Sequence, residues 1–178
     1  MAQPGTGSTA RRIRVLACGE SARGDDAAGF LAADLLRAWF DGVEPPPSAM
    51  ADTVEALRRS TEVEKVGQLE PDELLALDPD DPLVVIDAVS GPEPGTLVRR
   101  PLADLASGGP APRSSHMLPL RDVLGLVQTL RGSLPRGTFV GLGGSSFGLG
   151  DPVSSAVREA IPALAVATLE EAVRLAGA

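Results

Sequence analysis

The sequence predicts an α/β/α sandwich, three layers around a largely parallel twisted sheet. Three observations predict it. From Arg12 onward, stretches with strand patterning alternate with stretches whose apolar residues recur at helical spacing. Leu83-Val84-Val85-Ile86 is an unbroken run of branched or long apolar residues, as in a central strand covered on both faces. The 178 residues, rich in Ala, Leu, Val and Gly and without Tyr, suffice for one domain with a sizeable core.

In chain order, residues 1–10 are polar and read as a disordered leader, with the domain covering 11–178. The leader has no apolar core of a secretory signal, so the expected location is the cytoplasm. Arg12–Cys18 alternates and then turns wholly apolar, predicting the first strand. Asp26–Phe40 is the first helix, with Ala27, Phe30, Leu31, Leu35, Ala38 and Trp39 at helical spacing and Asp25 or Asp26 as its N-cap. Asp41–Ser48 contains Pro45-Pro46-Pro47 and is a loop. Ala49–Arg59 is a short helical segment and Thr61–Gly67 a weaker strand.

Pro71–Leu77 opens with a proline and two acids, both suited to a helix start. Asp78–Pro82 is a turn, Leu83–Val89 the clearest strand, Gly91–Gly95 a turn and Thr96–Arg100 a short strand. Ala106–Arg113 is a Gly/Pro-rich loop that delivers Ser114-Ser115-His116. Leu118–Leu130 is a helix, Thr138–Leu142 a strand and Gly143–Gly150 a glycine-rich loop. Pro152–Ala176 is a final helix that Pro162 should kink or divide.

A net charge of −8 argues against general nucleic-acid or membrane-surface binding. No run reaches the ~20 apolar residues of a membrane span. Cys18 is the only cysteine, so no intrachain disulfide can form, and it reads as a core residue. There is no G-x-G-x-x-G, no phosphate-binding P-loop and no G-x-S-x-G elbow.

Three loops carry candidate chemistry: Asp25-Asp26 after the first strand, Asp87 at the end of the central strand, and His116 before the helix that follows. In a parallel sheet, strand ends of one polarity share an edge, so Asp26 and Asp87 can meet there and His116 can join them. Two carboxylates and an imidazole form a plausible divalent-metal site, and mixed N/O donors suit zinc or nickel better than magnesium. The plainer reading makes Asp87 a loop hydrogen-bonder and His116, the only histidine, a structural or exposed residue. A rival is a phospho-accepting receiver domain with Asp87 as acceptor. That chemistry needs a lysine on a later strand, whereas the only lysine, Lys65, precedes the central strand.

Four pieces in order carry a resemblance. They are Val15–Gly29 with Gly24-Asp25-Asp26-Ala27-Ala28-Gly29, then Val84–Val89 with Pro94-Gly95-Thr96. Ser115-His116 follows, leading into Leu120-Arg121-Asp122-Val123-Leu124, and then Val140-Gly141-Leu142-Gly143 with Ser154-Ser155-Ala156-Val157. This set resembles the hydrogenase maturation proteases, metal-binding endopeptidases that trim the C-terminal tail of a nickel–iron hydrogenase large subunit. The resemblance implies about five strands flanked by helices, and metal ligands at Asp26, Asp87 and His116. It implies that the ion is nickel already held by the large-subunit precursor, with zinc as a possible surrogate. The expected partner is that precursor, and the expected state a monomer. A module of the same fold that docks the precursor without cutting it is the second reading.

Departures from the family pattern are visible. Glu20 stands where many members carry Asn, either adding a third carboxylate near the pocket or facing solvent. Gly141-Leu142-Gly143-Gly144 stands where members often carry Gly-x-Gln/Glu-Pro, which predicts a looser loop without a polar side chain. The segment Asp41–Ser60 is longer than usual.

Overall fold

The computed structural model describes residues 11–108 and 119–177. The expected leader and His116 therefore lie outside the described residues. Five strands form one sheet: β1 (Ile13–Cys18), β2 (Thr61–Gly67), β3 (Leu83–Ser90), β4 (Leu97–Pro101) and β5 (Gly137–Gly144). Their spatial order is β2-β1-β3-β5-β4. β1, β2, β3 and β5 run parallel, and β4 pairs antiparallel with β5 at the edge.

The helices are α1 (Ala28–Asp41), α2 (Ala51–Leu57), α3 (Pro71–Ala76), α4 (Leu102–Ala106), α5 (Leu120–Arg131) and α6 (Ser155–Ala176). Strand residues alternate between two cores, as a period of two requires. Val15, Ala17, Val84, Ile86, Val140 and Leu142 face α1 and α6, meeting Ala32, Leu36, Leu164 and Ala165. Leu16, Cys18, Leu83, Val85, Val89 and Phe139 face α3, α4 and α5, meeting Leu74, Leu105 and Leu124. Burying one such leucine contributes about 1.5–3 kcal/mol, so each face is held by many such terms.

Both sheet edges carry charge, which discourages pairing with other chains. On β2, Glu62 and Glu64 are exposed and take the Arg14 guanidinium at 2.8 and 3.3 Å. On β4, Arg99 reaches Glu170 and Glu171 of α6.

Several boundaries differ from the sequence reading. The first helix begins at Ala28, because Gly24–Ala27 forms a tighter 3-10 turn. Neither Asp25 nor Asp26 caps α1: its N-cap position is Ala27, and no side chain caps it. The expected loop start at Ala106 is preceded by the short helix α4, which has too few residues to show a period. β5 runs on to Gly144, so Gly143 and Gly144 belong to a strand rather than to the loop. α6 starts at Ser155 and continues through Pro162 as one helix. Pro162 is exposed, where a carbonyl that loses its donor can bind water.

Candidate functional site

β1 and β3 run parallel and paired, so their carboxyl ends open on one edge. The chain leaves β1 through Gly19 and enters the 3-10 turn that carries Asp25 and Asp26. Gly29 presses that turn and the start of α1 against the sheet. A Cβ there would stand 2.2 Å from the Cys18 carbonyl oxygen and 3.0 Å from that of Ile86. Only glycine allows the helix to come so close to both strand ends.

Asp26 is 1% exposed and Asp87 3%. Asp87 lies on β3, on the same face as Val85 and Val89, and its Oδ1 accepts the N–H of Ala88 at 2.8 Å. Cys18 ends β1 on that same face. Burial pushes the Cys18 thiol well above its ordinary range, and the carboxylates of Asp87, Glu73 and Asp26 push it further. Asp26 and Asp87, on different elements, thus both act electrostatically on the buried Cys18 thiol. A thiol shifted this way is disfavoured as a thiolate nucleophile.

Glu73, read from the sequence only as an acid of a helix first turn, is a third carboxylate acting on Cys18. It sits three residues into α3, where its carboxylate accepts the Glu70 N–H at 2.7 Å in a capping box. Burial raises its pKa above the usual glutamate range, and Asp72, Glu70 and Glu64 add to the rise against that one hydrogen bond. The spacing Glu70-x-x-Glu73 before Leu74 is a local signal from which this capped helix start can be read.

Asp25 is fully buried and does structural work. Its carboxylate accepts the backbone N–H groups of Ser145 (2.8 Å), Ser146 (3.0 Å) and Ser154 (2.7 Å), and the Ser154 hydroxyl at 3.1 Å. Burial alone would raise its pKa, but these bonds outweigh burial and hold it below the ordinary aspartate value. The Asp25 N–H in turn donates to the Ser146 carbonyl at 2.7 Å. So the loop after β1, the loop after β5 and the start of α6 are tied at one carboxylate.

Glu20 is exposed, and its carboxylate turns back to accept the Ala22 N–H at 3.3 Å. Of the two readings of Glu20, the solvent-facing one holds. Lys65 lies on the edge strand β2 and pairs with Asp34 at 2.6 Å, so it is not available to a phosphate at Asp87. Among the described residues, no group of three His, Cys, Asp or Glu side chains could hold a metal ion. Of the predicted trio, Asp26 and Asp87 are buried, and His116 lies outside the described residues.

No protein-family model matches the chain, and no curated protein matches it in sequence. Solved structures do match. The nickel–iron hydrogenase maturation protease HybD from Thermococcus kodakarensis shares 22% identity at a TM-score of 0.63, over 93% of this chain and 99% of that one. HycI from Thermococcus kodakarensis KOD1, also a maturation protease, shares 25% at 0.62, over 93% and 94%. The hydrogenase maturating endopeptidase HybD from Escherichia coli shares 23% at 0.69, again over 93% and 94%. The chain has the hydrogenase maturation protease fold.

Within the maturation-protease fold, the Gly143-Gly144 departure takes on a different meaning. A Cβ on Gly144 would lie 2.8 Å from the Asp25 Cβ, and one on Gly143 would lie 2.3 Å from the Glu93 carbonyl oxygen. These glycines do not loosen a loop. Gly144 clears the space for the Asp25 side chain that bonds Ser145 and Ser146, and Gly143 lets the Glu93 carbonyl approach β5. Ser154 also N-caps α6 by accepting the Val157 N–H at 3.4 Å. The serines themselves were visible in the sequence, but nothing in their spacing pointed to Asp25.

Proposed function

We propose that this chain is an endopeptidase that removes the C-terminal extension of a nickel-loaded hydrogenase large-subunit precursor. What supports the reading is a fold shared with named maturation proteases, in which Asp26 and Asp87, from different elements, are both buried and both act on the Cys18 thiol.

In this reading the nickel belongs to the substrate, and Asp26, Asp87 and His116 complete its coordination. Two buried oxygen donors together with an imidazole nitrogen suit a borderline divalent ion, and zinc would serve as a surrogate. An ion held by Asp26, Asp87 and His116 would supply Lewis-acid chemistry, polarising the scissile carbonyl or activating a water. What the chain itself contributes is a rigid, dry seat. The glycines bring the turn onto the sheet, and Asp25 fixes that turn to the β5–α6 loop. The reading has the protein act as a monomer in the cytoplasm. No described helix is long and apolar enough to cross a membrane.

The test is incubation with the cognate large subunit, with and without nickel, followed by mass analysis. Loss of the tail only from the nickel-loaded form supports the reading. A precursor bound tightly but left intact would support the docking module instead.

A further inference from the structure

The loop after β1 carries a cation that the proposed chemistry does not use. Arg23 directly precedes the 3-10 turn with Asp25 and Asp26, and its carbonyl accepts the Asp26 N–H at 3.1 Å. Its side chain is half-buried, and its Nε donates to the Phe147 carbonyl at 3.2 Å across the seam between the two site loops. The seam is closed on either side by Gly150 N–H to the Ala22 carbonyl and Asp25 N–H to the Ser146 carbonyl, both at 2.7 Å. The guanidinium is therefore held in place by backbone that is itself held in place.

A guanidinium has five N–H donors, and this one commits only the Nε–H among the described residues. No carboxylate lies within ion-pair distance of it there, although the chain has 24 acids against 16 bases. The nearest acid in sequence, Glu20, turns its carboxylate to the Ala22 N–H. Residues 1–10 and 109–118 contain no Asp or Glu, so no acidic side chain from those segments can pair with it. Elsewhere, Arg14, Arg58, Arg99 and Arg174 all meet carboxylates. None of the Arg23 nitrogens is a buried donor without a partner, so the remaining N–H groups face open space.

We propose that Arg23 binds a carboxylate of the protein substrate, either an acidic side chain near the cut or the free C-terminus of the tail. A planar fork with its two terminal amino groups unused matches a carboxylate in bidentate fashion. Placed on a strongly acidic protein that repels anions generally, one oriented guanidinium makes acceptance of an acid local and specific. This proposal rests on the endopeptidase reading for its substrate, but not on cleavage itself. Arg23 sets where the tail lies, while Asp26 and Asp87 face the reacting end.

The experiment compares wild type with Arg23→Gln and Arg23→Lys. Binding of the full-length nickel-loaded precursor is measured by calorimetry, and cleavage by mass. Three tails are used: native, with its acidic side chains changed to amides, and with an amidated C-terminus. The expected result is that Arg23→Gln weakens binding and raises KM about tenfold or more for the native tail. kcat stays unchanged, both variants lower the melting temperature by a similar small amount through loss of the bond to the Phe147 carbonyl, and Arg23→Lys recovers part of the binding loss. The loss disappears for whichever neutral tail lacks the recognised carboxylate, which distinguishes side chain from terminus. Equal affinity of wild type and Arg23→Gln for the native tail, or an equal loss with all three tails, overturns the proposal. If wild type binds the precursor without cutting it, the endopeptidase reading fails while the binding ratio still decides the role of Arg23. If wild type does not bind it at all, both fail.

Discussion

Asp25 and Ser154 are 129 positions apart, yet the Asp25 carboxylate accepts the Ser154 backbone N–H at 2.7 Å. That contact joins the turn carrying Asp26 to the first residue before α6, while the same carboxylate also holds Ser145 and Ser146. Truncating Asp25 would leave several inward-facing donors without an acceptor. Asp25→Ala is expected to cost about 2–4 kcal/mol of stability. Urea unfolding checks this, as a lower midpoint at an unchanged slope. Asp25→Asn should fare little better, because its amino group would face N–H donors. A midpoint within error of wild type for the alanine variant would show that the clamp is dispensable.

Gly29 sets how close α1 comes to the sheet. The Cβ of Gly29→Ala would fall 2.2 Å from a backbone carbonyl oxygen, which cannot rotate away as a side chain can. The helix start must shift, with an expected loss of about 1–3 kcal/mol. Because Asp26 lies three residues earlier, cleavage should fall more than stability alone explains. Thermal melts together with precursor cleavage, both at a temperature where the variant is folded, separate the two effects.

Glu20 and Asp26 make a paired comparison. Glu20 is exposed and bonded only to its own turn, so Glu20→Gln should leave cleavage within about twofold of wild type, as is usual for surface changes. Asp26→Asn keeps the shape but removes a charged donor, and should reduce cleavage at least about 100-fold when measured at a temperature where the variant is folded. Equal effects of the two substitutions would contradict the assignment of Asp26 as the ligand.

Much of this architecture was legible in the sequence because its signals are local. The apolar run at Leu83–Ile86 and the helical period of Asp26–Phe40 signal a central strand and its covering helix, and the parallel pairing of β1 with β3 opens both strands toward one edge. What could not be read depends on distant contacts. Asp25 looks like a helix cap from its neighbours, but its partners sit more than a hundred residues later. Gly143 and Gly144 read as loop residues, because glycine composition does not reveal that Glu93 and Asp25 press against them. α4 is too short to display a period. The place of β4 as an antiparallel edge likewise follows from the chain turning back through Gly91–Gly95, and not from its own residues.

Glu171 provides a pH test far from the site. It is buried on α6; burial raises its pKa, but hydrogen bonds from Arg174 and Thr138 and the charges of Arg174 and Arg99 together lower it below the ordinary glutamate value of 4.5. A depressed carboxylate contributes stability that is present above its unfolded pKa and lost as pH falls through its folded one. The stability difference between wild type and Glu171→Gln should therefore be flat at neutral pH and shrink as the solution is acidified below 4.5. Unfolding midpoints across that range test it. A difference that grows on acidification would reverse the sign and contradict the Arg174 and Arg99 contacts.

The most direct test of the whole account is the mass of a co-expressed hydrogenase large subunit. With the wild-type chain and nickel present, the account predicts loss of the C-terminal extension; with His116→Ala, or without nickel, it predicts a precursor of full length. A wild-type protein that leaves the nickel-loaded precursor uncut, or a His116→Ala variant that trims it at the wild-type rate, would contradict it.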